Sequence, residues 1–147
     1  MYNNGQAKYY QNNQVLTAKN SKLILMMYDG AIRFARESIN KIRSKDIAGR
    51  GAYIRKTQDI ILELMNSLDM ENGGEIANNL SRLYLFMNRN LIMANIQGEE
   101  KYIEDVVKIL VELKATWDIV INNSYRNEQA VNEEGRFYSE KKMAVRC

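Results

Sequence analysis

The sequence contains no proline and no histidine. Without proline, every residue keeps the backbone donor that a helix uses, so nothing along the chain stops a helix outright. Without histidine, the chain lacks the commonest neutral-pH base and the commonest metal ligand. That excludes Ser-His-Asp and Cys-His nucleophile pairs and the Glu-x-x-His metal sites of helical bundles. The one cysteine, Cys147, is the last residue, so an internal disulfide and a thiolate cage are both excluded and a reducing compartment is implied. Long apolar runs are missing too. The longest, Leu23–Tyr28, falls far short of the ~20 residues that span a bilayer, so no membrane insertion is expected. The opening stretch MYNNGQAKYYQNNQ lacks the apolar core of a secretory signal. Lys+Arg number 21 against 18 Asp+Glu, a net +3, which is too weak a bias to mark a nucleic-acid binder. These absences describe a cytoplasmic, non-enzymatic protein with no cofactor and no metal.

What is present is ordinary globular material, 46% hydrophobic and 27% charged over 147 residues. That length suits one domain with its own core. Residues 1–19 are polar, carry Tyr2, Tyr9 and Tyr10, and show no periodicity, so they read as an arm, mobile or docked. Four amphipathic stretches fill residues 20–125. The first starts near Asn20 or Ser21 and carries Ile24, Met27, Ala31, Phe34, Ala35, Ser38 and Ile42 at three- and four-residue steps. Gly30 inside it suggests a close helix–helix approach. The second is expected to be ragged at Gly49 and Gly51, then clean through Ile54, Thr57, Ile61, Leu64 and Leu68, ending at Asn72–Gly74. The third begins near Glu75, carries Ile76, Leu80, Leu83, Met87, Leu91 and Ala94, and stops at Gly98. The fourth begins at Glu99–Glu100, acids that suit a helix N-terminus, and carries Ile103, Val106, Leu110, Leu113, Trp117 and Val120. From Asn122 the pattern fades, and residues 126–147 read as a polar, flexible tail. Matched helices on short linkers predict an all-α fold, an antiparallel up-down four-helix bundle with an N-terminal arm.

A bundle helix needs one apolar stripe, and several of these carry more. At about 100° per residue, Leu85, Ile92 and Ile96 fall roughly opposite Ile76, Leu83 and Ala94. Leu25 and Ile32 lie on one flank of the first helix, with Met26 nearly opposite its core stripe. Ile60 and Leu62 take the two flanks of the second, and Ile119 points away from Leu110 and Trp117. Single exposed apolar residues are normal. A helix lined on opposite faces must bury both, so the second stripes predict grooves that hold a partner.

Candidates for chemistry are weak. Asp59 and Glu63 share a face as an i,i+4 pair, but Lys56 precedes them and a solvated face explains all three. Gly73-Gly74 lacks the strand and the Lys-Ser/Thr of a phosphate loop. Lys41, Arg43, Lys45, Arg50, Arg55 and Lys56 gather at the first turn, opposed only by Asp46. Favourable charge at a helix C-terminus accounts for them better than nucleic acid does. Trp117 falls on the core stripe, and most methionines are core filler.

One family resemblance emerges from the residues. Tyr10 to Phe34 reads YQNNQVLTAKNSKLILMMYDGAIRF. It resembles the opening of FliS flagellin export chaperones, with Tyr10, Val15, Thr17, Ala18, Leu23, Tyr28, Asp29 and Gly30 in the matching places. LDMENGGEIANNLSRLYLFMNRNLIMANI, from Leu68 to Ile96, resembles a second block, and ELKATW resembles the family's fourth helix. Asn20 stands where the family usually has Pro, Leu85 and Phe86 where an acid and Tyr are common, and Asn90 where a basic residue is usual. The resemblance implies an antiparallel four-helix bundle that binds the disordered C-terminal segment of flagellin in surface grooves. It further implies that the chaperone keeps flagellin monomeric and delivers it to the flagellar type III export gate. On this reading the partner-binding residues are Tyr10, Val15, Leu25, Met26, Tyr28, Ile60, Leu85, Ile92, Asn95 and Ile96. The chain would be a monomer or weak homodimer, would bind no nucleic acid, and would use the arm to cover part of the groove until flagellin arrives. The alternatives are a homo-oligomeric bundle that buries the same stripes against itself, or a flagellar regulator that does not bind flagellin.

Overall fold

The computed structural model describes the backbone of residues 18–146 and the side chains of residues 21–135. Among the described residues the chain forms four α-helices and no strand: α1 (Ala18–Arg43), α2 (Ile47–Asn66), α3 (Gly74–Gln97) and α4 (Lys101–Arg146). Each packs on two neighbours, α1 and α3 each on both α2 and α4. The cross-helix pairs fix the directions. Arg43 at the end of α1 meets Glu100 before α4, while Asp29, farther back on α1, meets Lys114 farther along α4. The same reversal joins α2 to α3 through Arg50 with Asn95 and Gln58 with Asn88. It joins α1 to α2 through Phe34 with Tyr53 and Gly30 against Ile60. This is the up-down four-helix bundle the periodicity predicts.

Local chemistry sets the ends. Residues Gly49 and Gly51 do not fray α2, because the Asp46 carboxylate accepts the Gly49 N–H at 2.9 Å and caps the first turn. The helix then stops at Asn66, earlier than the Leu68 to Gly74 region, with Ser67 as its cap. The connecting turn is folded by Asp69, whose carboxylate accepts from the Glu71 and Asn72 N–H groups. Gly98 ends α3 at φ 68 and donates to the Ala94 carbonyl at 2.8 Å. The left-handed backbone is what demands glycine there; a Cβ would also stand 2.7 Å from an Arg50 guanidinium nitrogen and push that side chain aside. Gly30 is also explained, since a Cβ on it would meet Ile60 Cδ1 at 3.2 Å, the close approach of α1 and α2.

α4 itself does not end at Asn122, where the apolar pattern fades. Its 46 residues continue to Arg146. Residues 126–146 contain no proline and many good helix formers (Glu, Ala, Arg, Lys, Met), so propensity sustains the helix where the apolar stripe has run out. Every described side chain from Arg126 to Gly135 is exposed.

The core is formed by Tyr28, Ala31, Ile32, Ala35, Ile54, Ile61, Leu64, Tyr84, Met87, Leu91, Ala94, Ile103, Val106 and Leu110, among others. Three expected positions move. Ile32 is buried rather than flanking, because it lies only about 40° from Tyr28 around the helix. Ile76 is 72% exposed, because it sits in the first turn of α3, at the end of the bundle where α2 has already stopped. Val120 is exposed and Ile121 buried, since the i+4 step from Trp117 keeps closer to the stripe than the i+3 step.

At the centre a polar clasp crosses the bundle. The Tyr28 and Tyr84 hydroxyls are hydrogen bonded at 2.5 Å, and Trp117 Nε1 donates to the Tyr28 oxygen at 3.0 Å. Burial raises the pKa of both phenols above the usual tyrosine value. Tyr28 is therefore a core residue joining α1, α3 and α4. It is absent from the surface, contrary to its place among the expected partner contacts.

Candidate protein-binding surface

α3 supplies its core with Ala77, Tyr84, Met87, Leu91 and Ala94. Leu80 packs against the core beside them, half-buried, but several other apolar side chains of α3 have no place there. Leu85 and Ile92 are each 43% exposed and Ile96 is 72% exposed. Seven residues separate Leu85 from Ile92 and four separate Ile92 from Ile96, so the three stack on one outer face. Phe86, 46% exposed, extends apolar surface toward α4.

This face borders a groove between α2 and α3 of about 250 Å³, lined by Gln58, Asp59, Ile61, Leu62, Met65, Tyr84 and Asn88. Asn88 lies three residues after Leu85 and four before Ile92, which puts all three on one helical strip. Across the groove Leu62 is half exposed. The groove floor is tied by Gln58 Nε2 donating to Asn88 Oδ1 at 2.9 Å. That bond spans the two helices within a lining that also includes the apolar Ile61, Leu62 and Met65. At the far end Arg50 donates to the Asn95 carbonyl at 2.9 Å and locks the helices together.

The structure brings together some of the expected contact residues and separates others. Leu85, Ile92 and Ile96 share the outer side of α3 and are exposed, whereas Asn95, also exposed, turns toward Gly51 of α2. Met26 is 58% exposed, but on α1. Leu25 is half-buried, and Ile60 is half-buried against α1 and the core, on the flank of α2 away from the groove. Tyr10 and Val15 lie outside the described residues. Sequence reasoning missed Phe86, Met65 and the Gln58–Asn88 tie. An amide pair across two helices leaves no periodic signal, although polar residues at matching heights on facing helices were there to be paired.

Half of the basic residues at the first turn are tied into the structure. Lys41 pairs with Asp46, Arg43 with Glu100, and Arg50 with the α3 backbone. Among the described residues no group of His, Cys, Asp or Glu could hold a metal ion, and no helix is long and apolar enough to cross a membrane.

Comparison with known proteins decides the family. The model of the family described as flagellar protein FliS matches residues 1–124. The chain belongs to the FliS family. The flagellar secretion chaperone FliS of Campylobacter jejuni is 37% identical over 123 residues, covering 84% of this chain and 96% of that protein. The chaperone of the same name from Vibrio cholerae is 34% identical over 105 residues, 71% of this chain and 77% of that protein. That of Bacillus subtilis is 27% identical over 118 residues, 80% of this chain and 87% of that protein. The FliS match takes in both walls of the α2–α3 groove as well as Tyr10 and Val15. It ends at residue 124, so the long continuation of α4 lies beyond it.

Proposed function

We propose that this protein is a cytoplasmic export chaperone for flagellin. It binds the disordered C-terminal segment of flagellin along the outer face of α3 and the α2–α3 groove, and presents it to the flagellar type III export apparatus. The observation that carries this reading is the second apolar face of α3, Leu85, Ile92 and Ile96, exposed on a helix whose core is already complete. The naming of its relatives as flagellar secretion chaperones supports it.

The physics suits an unfolded client. A disordered segment must recover the entropy it loses on ordering, ~2–5 kcal/mol or more, by burying apolar surface. An amphipathic helix in a groove does this with anchors at i, i+3 or i+4 and i+7, the spacing that α3 itself presents. Holding that segment in a groove also keeps it from packing against other flagellin copies. The N-terminal arm, with Tyr10 and Val15, would cover part of the groove in the free chaperone and give way to the client. A weak tethered contact suffices for that, because its effective concentration is on the order of mM.

Calorimetric titration of the protein with a peptide of the flagellin C-terminus tests the proposal. Saturable one-to-one binding is expected, with a negative heat-capacity change from apolar burial. An absence of heat and of any displacement in a competition format would end it. If light scattering over a concentration series then found a stable oligomer, the apolar stripe would be assigned to self-association instead.

A further inference from the structure

We infer that the α1–α2 face carries a second binding site, one that takes an acidic segment of a protein partner. Phe34 of α1 and Tyr53 of α2 are half-buried side by side, their ring centroids 6.1 Å apart. Three cations stand over this pair. Lys56 Nζ is 5.4 Å from the Phe34 centroid and 4.9 Å from that of Tyr53. Arg33 covers Phe34 at 5.3 Å, and Lys41 approaches Tyr53 at 5.9 Å. Among the described residues, Lys41 alone of the three has a carboxylate partner, Asp46 at 3.7 Å. Among the described residues neither Arg33 nor Lys56 is in an ion pair, although Arg43, Lys101 and Lys114 on the same bundle each hold one. Glu37, one turn on from Arg33, accepts from Asn40 instead.

The rings draw the cations into one place, through the attraction of positive charge to a ring face. The result is a small platform of like charge with two positions open to a carboxylate. The platform is firm, because the Gly30–Ile60 approach beside it holds α1 against α2. A carboxylate set between Arg33 and Lys56 would make charge-assisted hydrogen bonds, with the ring edges meeting the apolar side chains beside it. A protein segment fits better than nucleic acid. Glu37 and Glu63 lie four residues after Arg33 and seven after Lys56, so carboxylates border the patch and would oppose a continuous phosphate backbone. Tyr53 and Lys56 face α1, whereas Gln58 and Leu62 face α3. The two sites therefore use opposite flanks of α2 and can be filled together.

The test uses fluorescence anisotropy with a labelled helical peptide of Glu, Leu and Ala, a matched peptide with Gln for every Glu, and labelled oligothymidylate. Saturable binding of the Glu peptide is expected. The Gln peptide and the Arg33→Glu/Lys56→Glu protein should each bind at least about 10-fold more weakly. Lys56→Arg should keep the affinity within about twofold, since charge and ring contact survive. Amide chemical-shift changes should centre on Arg33, Phe34, Tyr53 and Lys56. If the double variant fails to melt cooperatively, Lys56→Gln carries the same comparison. No saturable binding of the Glu peptide, equal affinity for the Gln peptide, shifts centred on the α2–α3 groove, or tighter binding of the oligonucleotide lost with Lys56 would each overturn the inference.

Discussion

Replacing Tyr28 by Phe should cost far more stability than replacing Tyr84 by Phe, although the two hydroxyls share one hydrogen bond. Within the trio there are three donors, the two phenol O–H groups and Trp117 Nε1–H, and two accepting oxygens. Tyr28 holds the oxygen that both partners use. With three donors and two bonds, one phenol O–H has no acceptor even in the intact trio. Without the Tyr84 hydroxyl, Trp117 still donates to Tyr28 and only the Tyr28 O–H lacks an acceptor, so the net loss is one bond, worth ~0.5–1.5 kcal/mol. Without the Tyr28 hydroxyl, both bonds go, and the Tyr84 O–H and Trp117 N–H are stranded. One donor more than in the intact trio is then stranded, at ~1–3 kcal/mol, on top of a lost bond at ~0.5–1.5 kcal/mol, so the loss should be ~1.5–4.5 kcal/mol, a large part of a small domain's stability. In the double variant only the indole N–H remains without a partner. Removing Tyr84 from the Tyr28→Phe background should then cost nothing or restore stability. Urea unfolding followed by far-ultraviolet circular dichroism measures all three. Equal losses in the single variants, or strict additivity in the double, would refute the clasp.

Three further outcomes follow from the same structure. The two phenols are held above their usual pKa by burial, so above about pH 10 the unfolded chain releases protons that the folded chain keeps. Their contribution is complete below that pH, and stability should then fall by about 2.7 kcal/mol per pH unit until the folded phenols ionise; a flat alkaline stability curve would contradict this. Gly98→Ala should destabilise by ~1–2 kcal/mol, because the left-handed φ opposes a Cβ, and an unchanged urea midpoint would count against it. Truncation after Tyr125 removes the part of α4 whose described side chains are all exposed. It should leave the melting temperature and flagellin-peptide affinity nearly unchanged, and loss of either would show that this segment packs or binds.

Much of the bundle is legible in the sequence because its signal is repetitive. Ile54, Ile61 and Leu64, or Met87, Leu91 and Ala94, recur at helical spacing and are buried as that spacing requires. The exposed face of α3 is legible for the same reason, since a phase argument that places Leu91 inside places Ile92 outside. What escaped the reading depends on single contacts. Tyr28 carries a hydroxyl that suggests a surface, yet its partners lie 56 and 89 residues away. The start of α2 turned on one carboxylate cap outweighing two glycines. The end of α4 turned on helix propensity alone, which a search for apolar periodicity does not register. The α1–α2 platform is written as scattered basic residues, and only the packing of two rings makes it one surface.

The central claim is that the outer face of α3 binds the client while contributing little to the fold. Calorimetry of Ile92→Asp with the flagellin C-terminal peptide, paired with a melting curve, tests it most directly. Ile92 is 43% exposed, so an aspartate can keep its charge in water in the free protein. In the complex the same carboxylate would be buried without a partner, at a cost of roughly 2–5 kcal/mol, or about 30-fold or more in affinity. The account predicts that loss of binding with a near-native melting temperature. Unchanged affinity, or a mutant that no longer folds, would contradict it.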